Sequence, residues 1–257
     1  MSVAALFRLL QLPKNDQRLG MMDSSDPIDR TSGAPADEGQ PQNSHRLRSE
    51  ATRARILEAA HVQFVANGLE GTRMEAIAAE AGVNKSLVYR HFGNREQLYR
   101  EVLRNTYQKM RDAEAALELP EDPLQALDRL VSFTLQYYLE NPDFLILVGI
   151  ENLNQGQHLR QIARDSLHVS SLLDILRRIT RAGVAQGLFR SGLDPVEFYM
   201  VISSQCWFTV ATKHTFGITF DLDVMQPEYI ARRRALICDN VRRYALRDPA
   251  AHSKDAE

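Results

Sequence analysis

Apolar residues recur along this chain at helical spacing, and no stretch alternates with the period of two expected of a half-buried strand. The pattern sets in at Glu50. Ile56, Leu57, Ala60, Phe64 and Val65 fall on one helix face, and Gly68 follows where a helix commonly ends. Thr72 and Glu75 form a Thr-x-x-Glu pair, which predicts a capping box opening a second helix that buries Met74, Ile77 and Ala78. Gly82 predicts a sharp turn, because glycine enters left-handed backbone without a Cβ clash. Val83 is expected to pack inward, and Asn84 to cap a short helix over 85–92 that Gly93 closes. Asn94 and Gln97 repeat the capping-box device for a helix with Leu98, Val102 and Leu103 on its apolar face.

From residue 105 to 247 the reading is helical throughout. Asp122-Pro123 opens a helix to about Glu140, since proline suits the first helical position. Asn141-Pro142 repeats the device for a helix carrying Phe144, Leu145, Leu147 and Val148. Another helix is expected near Gly156 or Gln157. A long amphipathic helix runs from Ser166 to Gln186 with Leu172, Ile175, Leu176, Ile179 and Val184, ended by Gly187. Asp194-Pro195 opens a helix through Trp207 toward His214, and Pro227 opens the last, to near Tyr244. The expected fold class is all-α, an N-terminal three-helix helix-turn-helix unit followed by a helical C-terminal domain. Residues 23–44 hold mostly Ser, Pro, Gly, Asp and Gln, with Ile28 the one large apolar residue, and predict disorder.

Composition narrows the classes. Hydrophobic residues make up 44% and charged residues 25% of 257. That excludes a collagen, a coiled-coil rod, a histone-like protein and a fully disordered chain. The net charge of -2 hides an asymmetry: residues 45–104 carry 10 basic and 7 acidic side chains, while the segments on either side are net acidic. A basic block is the electrostatic footprint of phosphate binding. Two cysteines, Cys206 and Cys238, are too few for a disulfide scaffold or a cysteine-based zinc site and suit a reducing cytoplasm. No apolar run approaches the roughly 20 residues of a membrane-spanning helix. The apolar run Val3–Leu10 is broken by Arg8 and lacks a basic lead and a cleavage site, so no secretory signal is expected there, which leaves a short amphipathic arm or a wrongly placed start codon as the alternatives. Met21 and Met22 leave open whether the first twenty residues are translated.

Two helices joined by a short glycine turn, the second helix being short, form the helix-turn-helix pattern. The bland alternative is a helical hairpin with no DNA role. Against it, the polar face of the second helix gathers Lys85, Ser86, Tyr89, Arg90 and His91, with Arg95 just beyond. Such donors suit phosphate oxygens and base edges. Tyr89 is also compatible with a core position, and Val88 and Phe92 are expected in the core.

The stretch RARILEAAHVQFVANGLEGTRMEAIAAEAGVNKSLVYRHFGNREQLYREVL, residues 53–103, resembles the DNA-binding domain of the TetR family of bacterial transcriptional regulators. AGVNKSLVYRHFGNREQLY is similar to the family signature across the turn and recognition helix. Asn84 replaces a frequent Ser, and Leu87 a common small polar residue, which bears on base preference. The resemblance implies DNA contacts from Lys85, Ser86, Tyr89, Arg90 and His91, a phosphate contact from Arg95, and a helix start at Thr72 and Arg73 aimed at phosphate. It divides the chain into a disordered extension over 1–44, the DNA-binding domain over 45–104, a ligand-binding and dimerisation domain over 105–247, and a disordered tail over 248–257. It also implies a homodimer, with 166–186 and 194–215 packing against their copies. A dimer sets two recognition helices one DNA turn apart, and a palindrome matches that symmetry.

ENPDFLILVGIENLNQGQHLR and DPVEFYMVISSQCWFTVATKHTFG are similar to a branch that includes nicotinate-responsive repressors and, more distantly, the pyrimidine-responsive RutR. The candidate ligand residues are Phe144, Glu151, Asn152, His158, Gln205, Trp207 and Phe208, for a small aromatic acid or nitrogen heterocycle. Each has a plainer reading: Phe144 and Phe208 as core, Glu151 and His158 as solvated, Trp207 as dimer interface. No phosphate loop, G-x-S-x-G elbow or H-E-x-x-H motif occurs, and the histidines do not cluster at metal spacing, so no enzyme, cofactor or metal is expected. The expected function is a cytoplasmic, dimeric repressor released from a palindromic double-stranded operator by a small molecule. The alternatives are an all-helical binding protein with a vestigial helix-turn-helix, or an activator of the same fold.

Overall fold

The computed structural model describes residues 40–163, 167 and 169–248, of which those from 44 onward belong to one compact unit. The helices are α1 (Gln40–Gly71), α2 (Met74–Glu80), α3 (Lys85–Phe92), α4 (Arg95–Ala115), α5 (Pro123–Glu140), α6 (Pro142–Leu153), α7 (Val169–Ala185), α8 (Pro195–Ala211), α9 (Lys213–Phe220) and α10 (Pro227–Ala245). The chain is all-α. Among the described residues the one β feature is an isolated bridge between Phe189 and Leu246. The expected disorder over 1–39 and 249–257 lies outside the described residues, and α1 begins inside the segment whose composition predicts disorder.

Two apolar cores organise the helices. The first unites Ile56 and Phe64 of α1, Ile77 of α2, Val88 and Phe92 of α3, and Leu98 and Val102 of α4. Gly82, at φ +62°, makes the turn between α2 and α3, in backbone that side-chain-bearing residues resist. Leu147 of α6 joins this core, and Ile150 and Ile162 pack on it. The second core centres on α5, which packs against α6, α7, α8 and α10. Leu127, Leu130 and Tyr138 of α5 meet Leu176, Phe198, Ile202 and Val241 there. Each such side chain contributes about 1.5–3 kcal/mol when fully buried. Gly183 is required by this packing: a Cβ there would lie 2.1 Å from the Phe189 ring. An Arg242–Asp128 ion pair ties α10 to α5.

Several local expectations change. Thr72 does not cap α2. Its hydroxyl donates to the carbonyls of Gly68 (2.6 Å) and Gln63 (3.0 Å), and Arg73 takes the N-cap position with no side-chain cap bond. Burial of Thr72 among the α1 carbonyls outcompetes the local box. The Asn94–Gln97 box forms as the sequence implies. Asn141 ends α5 but does not cap α6, because its amide donates to the Tyr137 carbonyl at 2.9 Å. No α-helix opens at Gly156 or Gln157. Gln155 and Gly156 both have positive φ, and a single 3-10 turn follows over Leu159–Gln161. The expected start at Ser166 lies outside the described residues, and α7 is described from Val169. The helix expected to reach toward His214 ends at Ala211, and α9 follows as a separate element.

Candidate nucleic-acid interface and the regulatory core

Helix α3 is short, and its burial pattern assigns its faces. Val88 and Phe92 go into the first core, while Lys85, Ser86, Tyr89 and Arg90 face solvent. Tyr89 is 43% exposed, so it is not a core aromatic. Asn84 accepts the Leu87 amide at 2.9 Å and the Ser86 hydroxyl at 2.6 Å, fixing the first turn of the helix. Lys85 donates to Glu75 of α2, and its ammonium lies 5.5 Å from the Tyr89 ring centroid. The hydrogen bond from Lys85 holds the Glu75 carboxyl below its ordinary value, and Glu75 raises Lys85 in return. The exposed side chain of Arg73 stands at the start of α2. These groups are hydrogen-bond donors, cations and one aromatic ring on a protruding helix, a set that fits a groove lined by phosphates.

The other expected contacts stand elsewhere. Thr72 is 1% exposed, and its hydroxyl is committed inward. Arg95 is half-buried: it donates to the Thr72 and Glu70 carbonyls (3.3 and 3.4 Å) and pairs with Glu70 at 3.2 Å. It therefore braces α4 against the loop before α2. His91 turns to a side cleft, and burial, with Arg90 and Arg53 nearby, holds its imidazole below its ordinary value. Lys85, Ser86, Tyr89 and Arg90 thus form one outward face, Arg73 is exposed at the start of α2, and Thr72, His91 and Arg95 support or flank that face.

The seven residues picked as ligand contacts fall in three places. Phe144 is buried among rings, stacked on Tyr138 (5.8 Å) and edge-on to Tyr107 (5.6 Å), and Trp207 lies edge-on to Tyr138 at 6.2 Å. Glu151 and His158 are buried, not solvated. Glu151 accepts the backbone amides of His158 and Leu159, both at 2.8 Å, and lies 3.3 Å from the His158 ring nitrogen. The His158 ring then sits 5.1 Å from Tyr99 of α4, which is itself 5.1 Å from Phe64 of α1. This chain of contacts joins the turn after α6 to the first core. Asn152 and Phe208 are exposed; Gln205 is half-buried and accepts from Asn240 at 2.9 Å.

The residues that the sequence reading missed are Arg111 and Glu114 of α4. They are 4% and 0% exposed and pair at 2.6 Å inside the second core. The Arg111 guanidinium also reaches the Tyr199 hydroxyl at 3.3 Å. Its Nε and Nη1, and both Glu114 oxygens, have no well-formed hydrogen bond. Burial pushes the Glu114 carboxyl up to about 7, against the pull of Arg111. Tyr107, Tyr138 and Tyr199 complete an aromatic wall close to this pair. In sequence the pair is an ordinary i,i+3 couple that reads as a solvated surface. Only Tyr199, 88 residues away, reveals its burial. Cys206 is a buried free thiol, pushed up to about 12 by burial.

Comparison with known proteins matches both halves. Residues 56–102 match the model described as bacterial regulatory proteins, tetR family, and residues 123–241 the tetracyclin repressor-like C-terminal domain. The chain is 35% identical over 192 residues to the HTH-type transcriptional repressor NicS of Pseudomonas putida, across 74% of this chain and 91% of that protein. It is 38% identical over 107 residues to the HTH-type transcriptional repressor SCO4008 of Streptomyces coelicolor, across 42% of this chain and 53% of that one. Among solved structures, a bacterial regulatory protein of the tetR family from Rhodococcus RHA1 superposes with a TM-score of 0.58 at 20% identity, across 77% of this chain and 98% of that one. At that identity the likeness speaks to fold alone. Among the described residues no helix is long and apolar enough to cross a membrane.

Proposed function

The chain belongs to the TetR family of bacterial regulatory proteins, and from that premise we propose that it is a dimeric repressor that reads a palindromic operator through α3 and leaves it when a small molecule binds the helical core. The observation that carries the reading is the outward face of Lys85, Ser86, Tyr89 and Arg90 on a short helix whose opposite side is locked into the first core. Lys85, Ser86, Tyr89 and Arg90 enter the major groove, and Arg73 meets the flanking phosphates. Arg95 acts by bracing the loop. Dimerisation uses α7 and α8, whose exposed Val169, Val184, Met200 and Phe208 offer apolar area for a second copy. In vitro selection of DNA by the purified protein tests this. An inverted repeat with half-sites roughly 34–36 Å apart is expected; a selection that enriches no common sequence contradicts it.

The effector is assigned to the second core, as a small aromatic acid or nitrogen heterocycle. Arg111 supports that choice, because a buried guanidinium with unfilled donors beside tyrosine rings suits a planar anion better than an apolar ligand. Glu114 occupies the cation in the free protein, and an acid would take its place. Thermal-shift titration with nicotinate and related ring acids should stabilise the protein, and Arg111→Met combined with Glu114→Leu should abolish the shift while keeping the fold.

A further inference from the structure

A second basic feature lies away from both the recognition face and the tyrosine-lined core. A cleft of about 630 Å³ opens between the first core's helices and the 3-10 turn after α6. Arg53 of α1, His91 and Phe92 of α3, and Arg100 and Arg104 of α4 form one wall; Gln161 and Ile162 are part of the other. Its volume lies within the range of small-molecule sites.

The charges here are arranged in a particular way. Among the described residues Glu101 is the one carboxylate in the lining, and it receives both Arg53 and Arg104 at 2.6 Å. Burial raises the Glu101 carboxyl, but the hydrogen bonds from Arg104 and Arg53 outweigh burial and leave it below its ordinary value, so it stays charged. Each of these arginines engages Glu101 through one terminal nitrogen only, leaving the rest of its fork of donors available. The Arg53 guanidinium is also fixed 4.9 Å from the Phe92 ring centroid, at the last turn of α3. Arg100 has no ion-pair or hydrogen-bond partner among the described residues. Three guanidinium groups therefore converge on a cavity in which one carboxylate neutralises them only in part. His91 adds a ring nitrogen donor at the edge.

We propose that this cleft binds a small dianion, a phosphoryl compound or a dicarboxylate, at Arg100, Arg104 and Arg53. Guanidinium forks match the paired oxygens of either group. The site lies where the end of the recognition helix meets the turn that Glu151 and His158 hold against Tyr99, so an occupant contacts the last turn of α3 and the edge of the regulatory domain at once. It is distinct from the effector site assigned to the second core, and binding there does not depend on the operator reading.

Isothermal titration of the full chain with inorganic pyrophosphate, and separately with the dicarboxylate succinate, at constant ionic strength tests the proposal. Saturable binding of at least one is expected. Arg100→Ala removes a half-buried side chain with no hydrogen-bond or ion-pair partner among the described residues, so it should fold normally and weaken binding at least tenfold, whereas Lys213→Ala on α9 should leave it unchanged. Binding of neither probe overturns the proposal. So does equal loss in Arg100→Ala and Lys213→Ala, which marks diffuse charge attraction, or loss in Lys85→Ala in place of Arg100→Ala, which makes the recognition face the anion sink. The DNA phosphate backbone is the other source of this chemistry. If Arg100→Ala lowers the salt dependence of DNA binding by about one ion and leaves pyrophosphate binding intact, the cleft belongs to the DNA interface and the proposal falls.

Discussion

The two cores of this chain carry buried polarity in different ways. In the first, the buried groups are neutral hydroxyls: that of Thr72 finds two carbonyls of the helix just before it, and that of Tyr99 is left without a partner among the described residues. In the second, Arg111 and Glu114 sit among tyrosines with donors and acceptors left over. A satisfied hydroxyl stiffens the frame that presents α3. An incompletely satisfied charge pair stores interaction capacity that a ligand can use, at a standing cost in stability. The DNA-binding half is built to hold its shape, and the regulatory half to change its partners.

The comparison breaks most readily at Arg111. Arg111→Ala strands a buried carboxylate and should cost about 3–5 kcal/mol. Replacing both partners, Arg111→Met with Glu114→Leu, should recover most of that while leaving the protein deaf to acids. Chemical denaturation of the three proteins checks both statements. If the single variant is as stable as the parent, the pair is not buried as described.

Next comes the recognition face. Tyr89→Ala or Lys85→Ala should each weaken operator binding by about 1–3 kcal/mol and leave the dimer intact in sedimentation. A stability loss without a binding loss would make these side chains part of the frame.

The pH dependence sharpens the contrast. The Glu114 carboxyl is raised to about 7, so the folded state holds its proton longer than the unfolded chain does. Its contribution is fully present below about pH 4.5 and is lost as pH rises through about 7. Glu114→Gln should therefore flatten the decline in stability across that window by about 1–3 kcal/mol. An unchanged slope in the variant would contradict it.

The smallest effects separate frame from contact. Thr72→Val should cost about 0.5–1.5 kcal/mol of stability and leave the salt dependence of DNA binding alone. Arg73→Ala should do the reverse, lowering that dependence by about one ion without affecting the melting temperature.

Much of the first half was legible because its determinants are local. Asn84, Gly93 and the Asn94–Gln97 box set the bounds of α3 and α4 within a few residues of themselves, and DNA demands donor residues on the open face. Thr72 misled because its partners lie nine and four residues back, and burial overrode the local signal. In the second half the helix bounds set by Asp122-Pro123, Asp194-Pro195 and Pro227 were equally readable. The site was not. Arg111 acquires its environment from Tyr199, far along the chain, and Glu151 turns from a surface acid into an interior lock only when the loop after α6 folds back on it. Nothing in local spacing distinguishes those carboxylates and cations from solvated ones.

The central claim is that α3 delivers specific recognition from its outward face. Fluorescence anisotropy with the chain's own upstream intergenic duplex and a scrambled duplex, measured across a salt series for the parent and Tyr89→Ala, tests it most directly. The account predicts that the parent prefers its own duplex, that affinity for both falls as salt rises, and that Tyr89→Ala narrows the preference by about 1–3 kcal/mol while leaving the weak, salt-dependent background unchanged. A Tyr89→Ala protein that discriminates as well as the parent would contradict it.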